Sequence, residues 1–180
     1  MSAGQHLDAA LEAEAEAYRA LLAGGDAAQE LMAARDAYLA SHAETGPQSW
    51  GRLLGALKMA ILAGDGSEAI ARRAVAETGA AASAASAYLR ALAFVCLGET
   101  PDVGPMIAAG DAFARTGRAL AALAAADAAA YADALAEIVA DFEARDQHLS
   151  GVPIADTALV LERLAEVRGI AAHPQSPLVP

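Results

Sequence analysis

The chain has 180 residues, a length that fits one domain with a sizeable core, and a formal net charge of −11 with a sequence pI of about 4.6. Arg72-Arg73 is the only adjacent basic pair, so the chain lacks the basic face that phosphate binding requires, which excludes nucleic acid and an anionic membrane surface as expected partners. The single cysteine, Cys96, excludes an internal disulfide and reads as a structural thiol in an apolar helical stretch.

Roughly three residues in ten are Ala, several times the ordinary share. Ala loses no side-chain entropy on entering a helix, so long Ala-rich stretches predict an all-α protein. Lysine occurs once, at Lys58. Abundant Ala and Arg with scarce Lys is also what a GC-rich genome produces, and composition alone therefore carries little functional weight. The start, Met1-Ser2-Ala3-Gly4-Gln5-His6, lacks a basic region followed by an apolar one, which predicts no secretory signal. The most apolar stretch, Ala119 to Ala140, is broken by Asp127, Asp133 and Glu137 and does not read as a membrane span. The expected location is cytoplasmic.

In chain order, the spacing predicts a first hairpin of helices over His6–Ala23 and Asp26–Ala43. A second joins Gln48–Ala63 to Ser67–Thr78. A third joins Ala80–Leu97 to a short segment, Asp102–Ala109, broken by Pro and Gly. A fourth joins Asp111–Ala126 to Ala128–His148, and a closing helix covers Ile154–Arg168. One phrase punctuates them: Leu22-Ala23-Gly24-Gly25-Asp26, Leu62-Ala63-Gly64-Asp65-Gly66, Leu97-Gly98-Glu99-Thr100-Pro101 and Leu123-Ala124-Ala125-Ala126-Asp127. In the first two, Gly ends a helix in the left-handed conformation and Asp caps the next. The intervals of roughly 30 to 40 residues are those of helical-hairpin repeats.

Apolar stripes run through Leu53, Leu57, Ile61 and Leu62 and through Leu135, Ile138, Val139 and Phe142. Trp50 with Leu53 and Leu54 resembles the first helix of a tetratricopeptide repeat. The spacing is too uneven for a regular array, so the expected fold is an irregular stack of about four antiparallel hairpins with a closing C-terminal helix, a closed bundle being the alternative. Residues 1–170 form a single domain in this reading. Residues 171–180 form an extended tail with three prolines, fastened by Leu178 and Val179 or left free.

Chemistry is sparse. No metal-ligand spacing, phosphate loop or nucleophile elbow occurs, so no cofactor, metal or catalytic residue is assigned. The best polar constellation is Asp141, Glu143, Arg145, Asp146 and His148, read first as a solvated helix end, then as a partner-binding edge, and last as a weak metal site through Glu143, Asp146 and His148. In that reading His148 meets the negative end of the helix dipole, and Asp141 pairs with Arg145 at i,i+4. Trp50 is a second candidate partner contact. Asp156, in the first turn of the closing helix, is accounted for by that helix's N-terminal dipole.

From about Tyr131 to Pro180 the chain resembles the end of the bacterial immunity protein 49 family. The shared phrase is Ala134-Leu135 and Phe142-Glu143 on a long helix, then Leu164-Ala165-x-x-Arg168-Gly169-Ile170, then a tail ending Leu178-Val179-Pro180. The resemblance implies a cytoplasmic antidote that binds and blocks a toxin. The leading expectation is therefore a non-enzymatic protein-binding module whose acidic surface occludes a basic protein partner. A small-molecule-binding protein or accessory enzyme with an apolar pocket between hairpins is the second reading, and a homodimeric structural protein the third.

Overall fold

A computed structural model describes residues 2–80 and 83–180. Nine helices lie among the described residues: α1 Ala3–Leu22, α2 Ala28–Thr45, α3 Trp50–Ala63, α4 Ser67–Thr78, α5 Ala84–Cys96, α6 Gly104–Ala108, α7 Asp111–Ala124, α8 Ala128–Glu143 and α9 Asp156–Arg168. The fold is all-α, and the described residues hold no strand beyond an isolated bridge between Ser176 and Val179. None of the described helices is long and apolar enough to cross a membrane.

The punctuating phrase works in part as its chemistry predicts. Gly64 closes α3 at φ 70°, with its N–H on the Ile61 carbonyl. Asp127 caps α8 by accepting the Ala130 N–H at 3.0 Å. Asp26 accepts the Ala28 N–H at 2.9 Å. Asp65 does not cap α4: Gly66 takes the cap position, and the Asp65 carboxylate turns to Arg35 at 2.9 Å. A cross-helix guanidinium is a stronger partner for it than a backbone N–H. The fourth phrase lacks glycine, and Ala126 occupies the left-handed region at φ 53°.

Two boundaries move. The expected fifth helix, Ala80–Leu97, includes residues 81 and 82, which lie outside the described residues; α5 starts at Ala84 under a cap from Ser83. The expected helix to His148 stops five residues earlier. The Arg145 N–H bonds the Phe142 carbonyl rather than that of Asp141, which tightens the last turn. The Arg145 guanidinium then folds back 3.8 Å over the Phe142 ring. His148 therefore lies in the α8–α9 loop, stacked on Phe142 at 6.2 Å, and does not serve the dipole of α8.

Neighbouring helices pack on one another in a stack, with α1 on α2, α2 on α3, α4 on α5 and α7 on α8. The last helix reaches back into it and touches α3, α7 and α8. Its apolar residues Val160, Leu161, Leu164 and Ala165 join one continuous core with Leu53, Leu57, Leu92, Leu120 and Leu135. The tail is fastened. Ala155 donates its N–H to the Leu178 carbonyl at 2.9 Å, and Leu178 and Val179 pack on the core. Beneath it the buried Glu162 carboxylate accepts the Tyr131 hydroxyl at 2.8 Å and the N–H groups of Ala172 and His173 at 3.0 and 2.7 Å.

Candidate functional site

Charged groups converge where α9 meets α3. Lys58 lies on α3 beside the Leu53, Leu57 and Ile61 stripe, and its side chain is only 13% exposed. Taking a lone ammonium out of water is expensive, so it needs a partner. Asp156 on α9 provides one at 2.6 Å. The Tyr88 ring of α5 adds a cation–π contact 5.5 Å from the ammonium. Burial alone would push the Lys58 pKa down, but Asp156 outweighs it, and Lys58 stays protonated well into the alkaline range.

A cleft opens on this pair, roofed by the α8–α9 loop. Its outer compartment, about 330 Å³, is bounded by α1, α2 and α3 and by the loop. It is lined by Leu11, Glu14, Tyr18, Tyr38, Gly51, Leu54, Phe142, His148 and Asp156, among others. A second, inner compartment of about 280 Å³, on the α5 and α7 side and itself open to solvent beside the exposed Leu149, shares Leu54, Lys58, Phe142 and Asp156 with the first and extends to Tyr88, Phe113, Arg115, Ile138 and Asp141. Glycine shapes the outer wall. A Cβ on Gly55 would stand 2.8 Å from Cζ of Tyr38, whereas Gly51 faces open space. The Tyr38 ring thus lies directly on the α3 backbone, and its hydroxyl donates to Glu14.

The cleft is polar in an unbalanced way. The hydroxyls of Tyr18 and Tyr88 and Nδ1 of His148 are buried and meet no hydrogen-bond partner among the described residues. Lys58 and Thr157 lie beside the Tyr88 hydroxyl without reaching bonding geometry. Burial, reinforced by Asp156 and by the Glu14 carboxylate, which lies beside the Tyr18 hydroxyl without reaching bonding geometry, raises the Tyr18 pKa, so that phenol stays protonated and has a proton to donate. Buried polar atoms without partners are rare in folded proteins and call for an explanation. At the inner mouth, Arg115 of α7 and Arg145 of the loop both pair with Asp141.

The expected partner edge divides. Asp141 and His148 line the cleft. Glu143 accepts the Ser176 hydroxyl of the tail at 2.7 Å, and Asp146 is exposed. Trp50 packs on the core and lines a separate shallow groove with Leu7 and Ser49. Asp156 lies in the first turn of α9, as expected, and in addition holds the buried lysine. The scarcity of Lys is set down to composition above, but the position of Lys58 beside an apolar stripe, where Arg is the chain's usual cation, is a signal for this site; the tyrosines carry none. A second buried polar chain joins Ser49, His42 and Glu77 at 2.8 Å each and ends on Arg73. There both ring nitrogens are satisfied. Cys96 is half-buried and its thiol pKa is raised by burial, as suits an inert thiol. The described residues contain no group of three or more His, Cys, Asp or Glu arranged to hold a metal ion. Compared with known protein families, characterised proteins and solved structures, the chain has no significant match, so the reading of the cleft rests on its own geometry.

Proposed function

We propose that the protein binds a small organic molecule in the cleft beneath the α8–α9 loop. One observation carries this reading: a largely apolar cleft whose floor holds two buried phenol hydroxyls without partners beside a paired but incompletely bonded lysine. Ligand sites combine apolar walls with a few convergent polar groups of this kind. An unmet buried donor costs about 1–3 kcal/mol, a cost that a ligand acceptor removes.

The test is native mass spectrometry of the protein captured from its own cells, run beside Gly51→Leu. A Cβ on Gly51 meets no atom within 4 Å, so a leucine there is expected to be tolerated on α3 and to obstruct the outer compartment that Gly51 lines. The expected result is a small added mass on the wild type that is lost in the folded variant. A bare mass for both refutes the proposal.

A second reading, a protein-binding module that neutralises a basic toxin, is favoured by the net charge of −11 and by two exposed leucines, Leu11 and Leu149, at the rim of the same cleft. It predicts a 1:1 complex with a basic protein that salt weakens. Binding indifferent to salt would remove the electrostatic part.

A further inference from the structure

The inner compartment has its own charge balance. Three cations border it, Lys58, Arg115 and Arg145, against two carboxylates, Asp141 and Asp156. Lys58 is matched by Asp156, while both arginines share Asp141. One guanidinium charge is left over, in a chain whose net charge is −11.

The unspent hydrogen-bonding capacity has the same character. An ammonium carries three N–H donors and a guanidinium five. Lys58 gives one hydrogen bond, to Asp156, and the Tyr88 hydroxyl gives none. The rest of the lining is largely apolar, including Leu54, Phe113 and Ile138. A ligand that satisfies this compartment must therefore bring acceptors on an apolar body. Its charge is bounded as well: Asp141 and Asp156 repel anions, and a single surplus cation balances a single negative charge. At ~30 Å³ for each water-sized group, about 280 Å³ holds roughly ten non-hydrogen atoms.

We propose that the inner compartment selects an amphipathic organic monocarboxylate, with its headgroup on Arg115 and Arg145 and its apolar body against Leu54, Phe113 and Ile138. This rests on the ligand-binding reading above and specifies the ligand's chemistry. Arg is suited to the headgroup because its planar fork meets a carboxylate with two parallel hydrogen bonds.

The experiment is calorimetric titration of the full chain with octanoate, octan-1-ol and octylammonium at equal ionic strength near neutral pH. Octanoate is expected to bind at least about tenfold more tightly than the alcohol, with the amine weakest. Arg115→Gln and Arg145→Gln, made separately so that one unfolded variant does not decide the matter, are each expected to cut that preference to about twofold. Arg118→Gln removes the same charge from the exposed Arg118–Glu137 pair outside the cleft and is expected to leave it intact. Equal binding of octanoate and octanol, a preference for the amine, or a preference that survives both cleft variants overturns the carboxylate assignment while leaving a ligand site in place. Absence of saturable binding by all three up to millimolar concentration overturns this assignment; the ligand-binding reading itself falls only if the captured protein is also bare.

Discussion

Replacing Lys58 by Met isolates the contribution of the α3–α9 ion pair. The substitution fills nearly the same volume and leaves the Asp156 carboxylate without its partner. Removing one member of a fully buried pair costs about 3–5 kcal/mol. Asp156 is 23% exposed and lies in the first turn of α9, where the helix dipole restores about 0.3–1 kcal/mol. The expected loss is therefore about 2–3 kcal/mol. Asp156→Asn strands a more deeply buried ammonium, softened by the Tyr88 ring, and the expected loss is about 3 kcal/mol. The double variant Lys58→Met/Asp156→Asn removes both charges and is expected within about 1 kcal/mol of the wild type. Equilibrium urea unfolding, followed by far-ultraviolet circular dichroism, reads all three, provided the slope with urea is unchanged. Singles within about 0.5 kcal/mol of wild type, or a double as unstable as their sum, would show that the charges are solvated and that the pair is not a buried element of the cleft.

Four further outcomes are expected. Gly55→Ala forces its new methyl against the Tyr38 ring and is expected to destabilise by about 1–2 kcal/mol after the gain in helix propensity, whereas Gly51→Ala is neutral or stabilising by up to ~1 kcal/mol; thermal melts compare the two. Ala126→Gly relieves a left-handed alanine and is expected to stabilise by about 0.5–1 kcal/mol in the same assay. Glu162→Gln sets an amide against three donors at a cost of about 1–3 kcal/mol, and hydrogen exchange at Ala172 and His173 is expected to accelerate more than exchange in α1. Burial alone would raise Glu77, but Arg73 and His42 outweigh it and its pKa falls. Its stabilisation is therefore complete above the unfolded value near ~4.3 and is lost as pH falls through the folded one; Lys58, shifted upward, contributes fully below its unfolded value near ~10.4 and loses that contribution only as pH rises through the folded one. Urea midpoints against pH are thus expected to lose acid dependence in Glu77→Gln and alkaline dependence in Lys58→Met.

Local grammar made the helices legible. Gly64 and Asp127 do what their backbone chemistry dictates, and α3, α4 and α9 fall within a few residues of where periodicity places them. The errors come from side chains with two suitors. Asp65 prefers a distant guanidinium to the neighbouring N-terminus, and Arg145, while keeping its expected pair with Asp141, folds over the Phe142 ring where α8 ends. The cleft was hidden for a related reason. Lys58 and Asp156 are 98 residues apart, and each has a sufficient local account: a charge on a helix, an acid in a first turn. Only the packing of α9 against α3 makes them one object. Tyr18 and Tyr38 line one compartment and Tyr88 the other, a placement that no local pattern in the sequence signals.

The fastened tail also constrains how the protein is made. Glu162 leaves the ribosome ten residues before Ala172, and two of its three donors belong to the tail. A nascent chain that has already produced α9 cannot bury this carboxylate with all its bonds in place, and Ala155, where α9 begins, still waits for Leu178. Docking of α9 with all these bonds in place therefore waits until residues 172–178 have been made, and with it the joining of Asp156 to Lys58. A chain cut short before Ala172 carries an under-bonded charge in its interior, so the tail is part of what makes α9 fit its place.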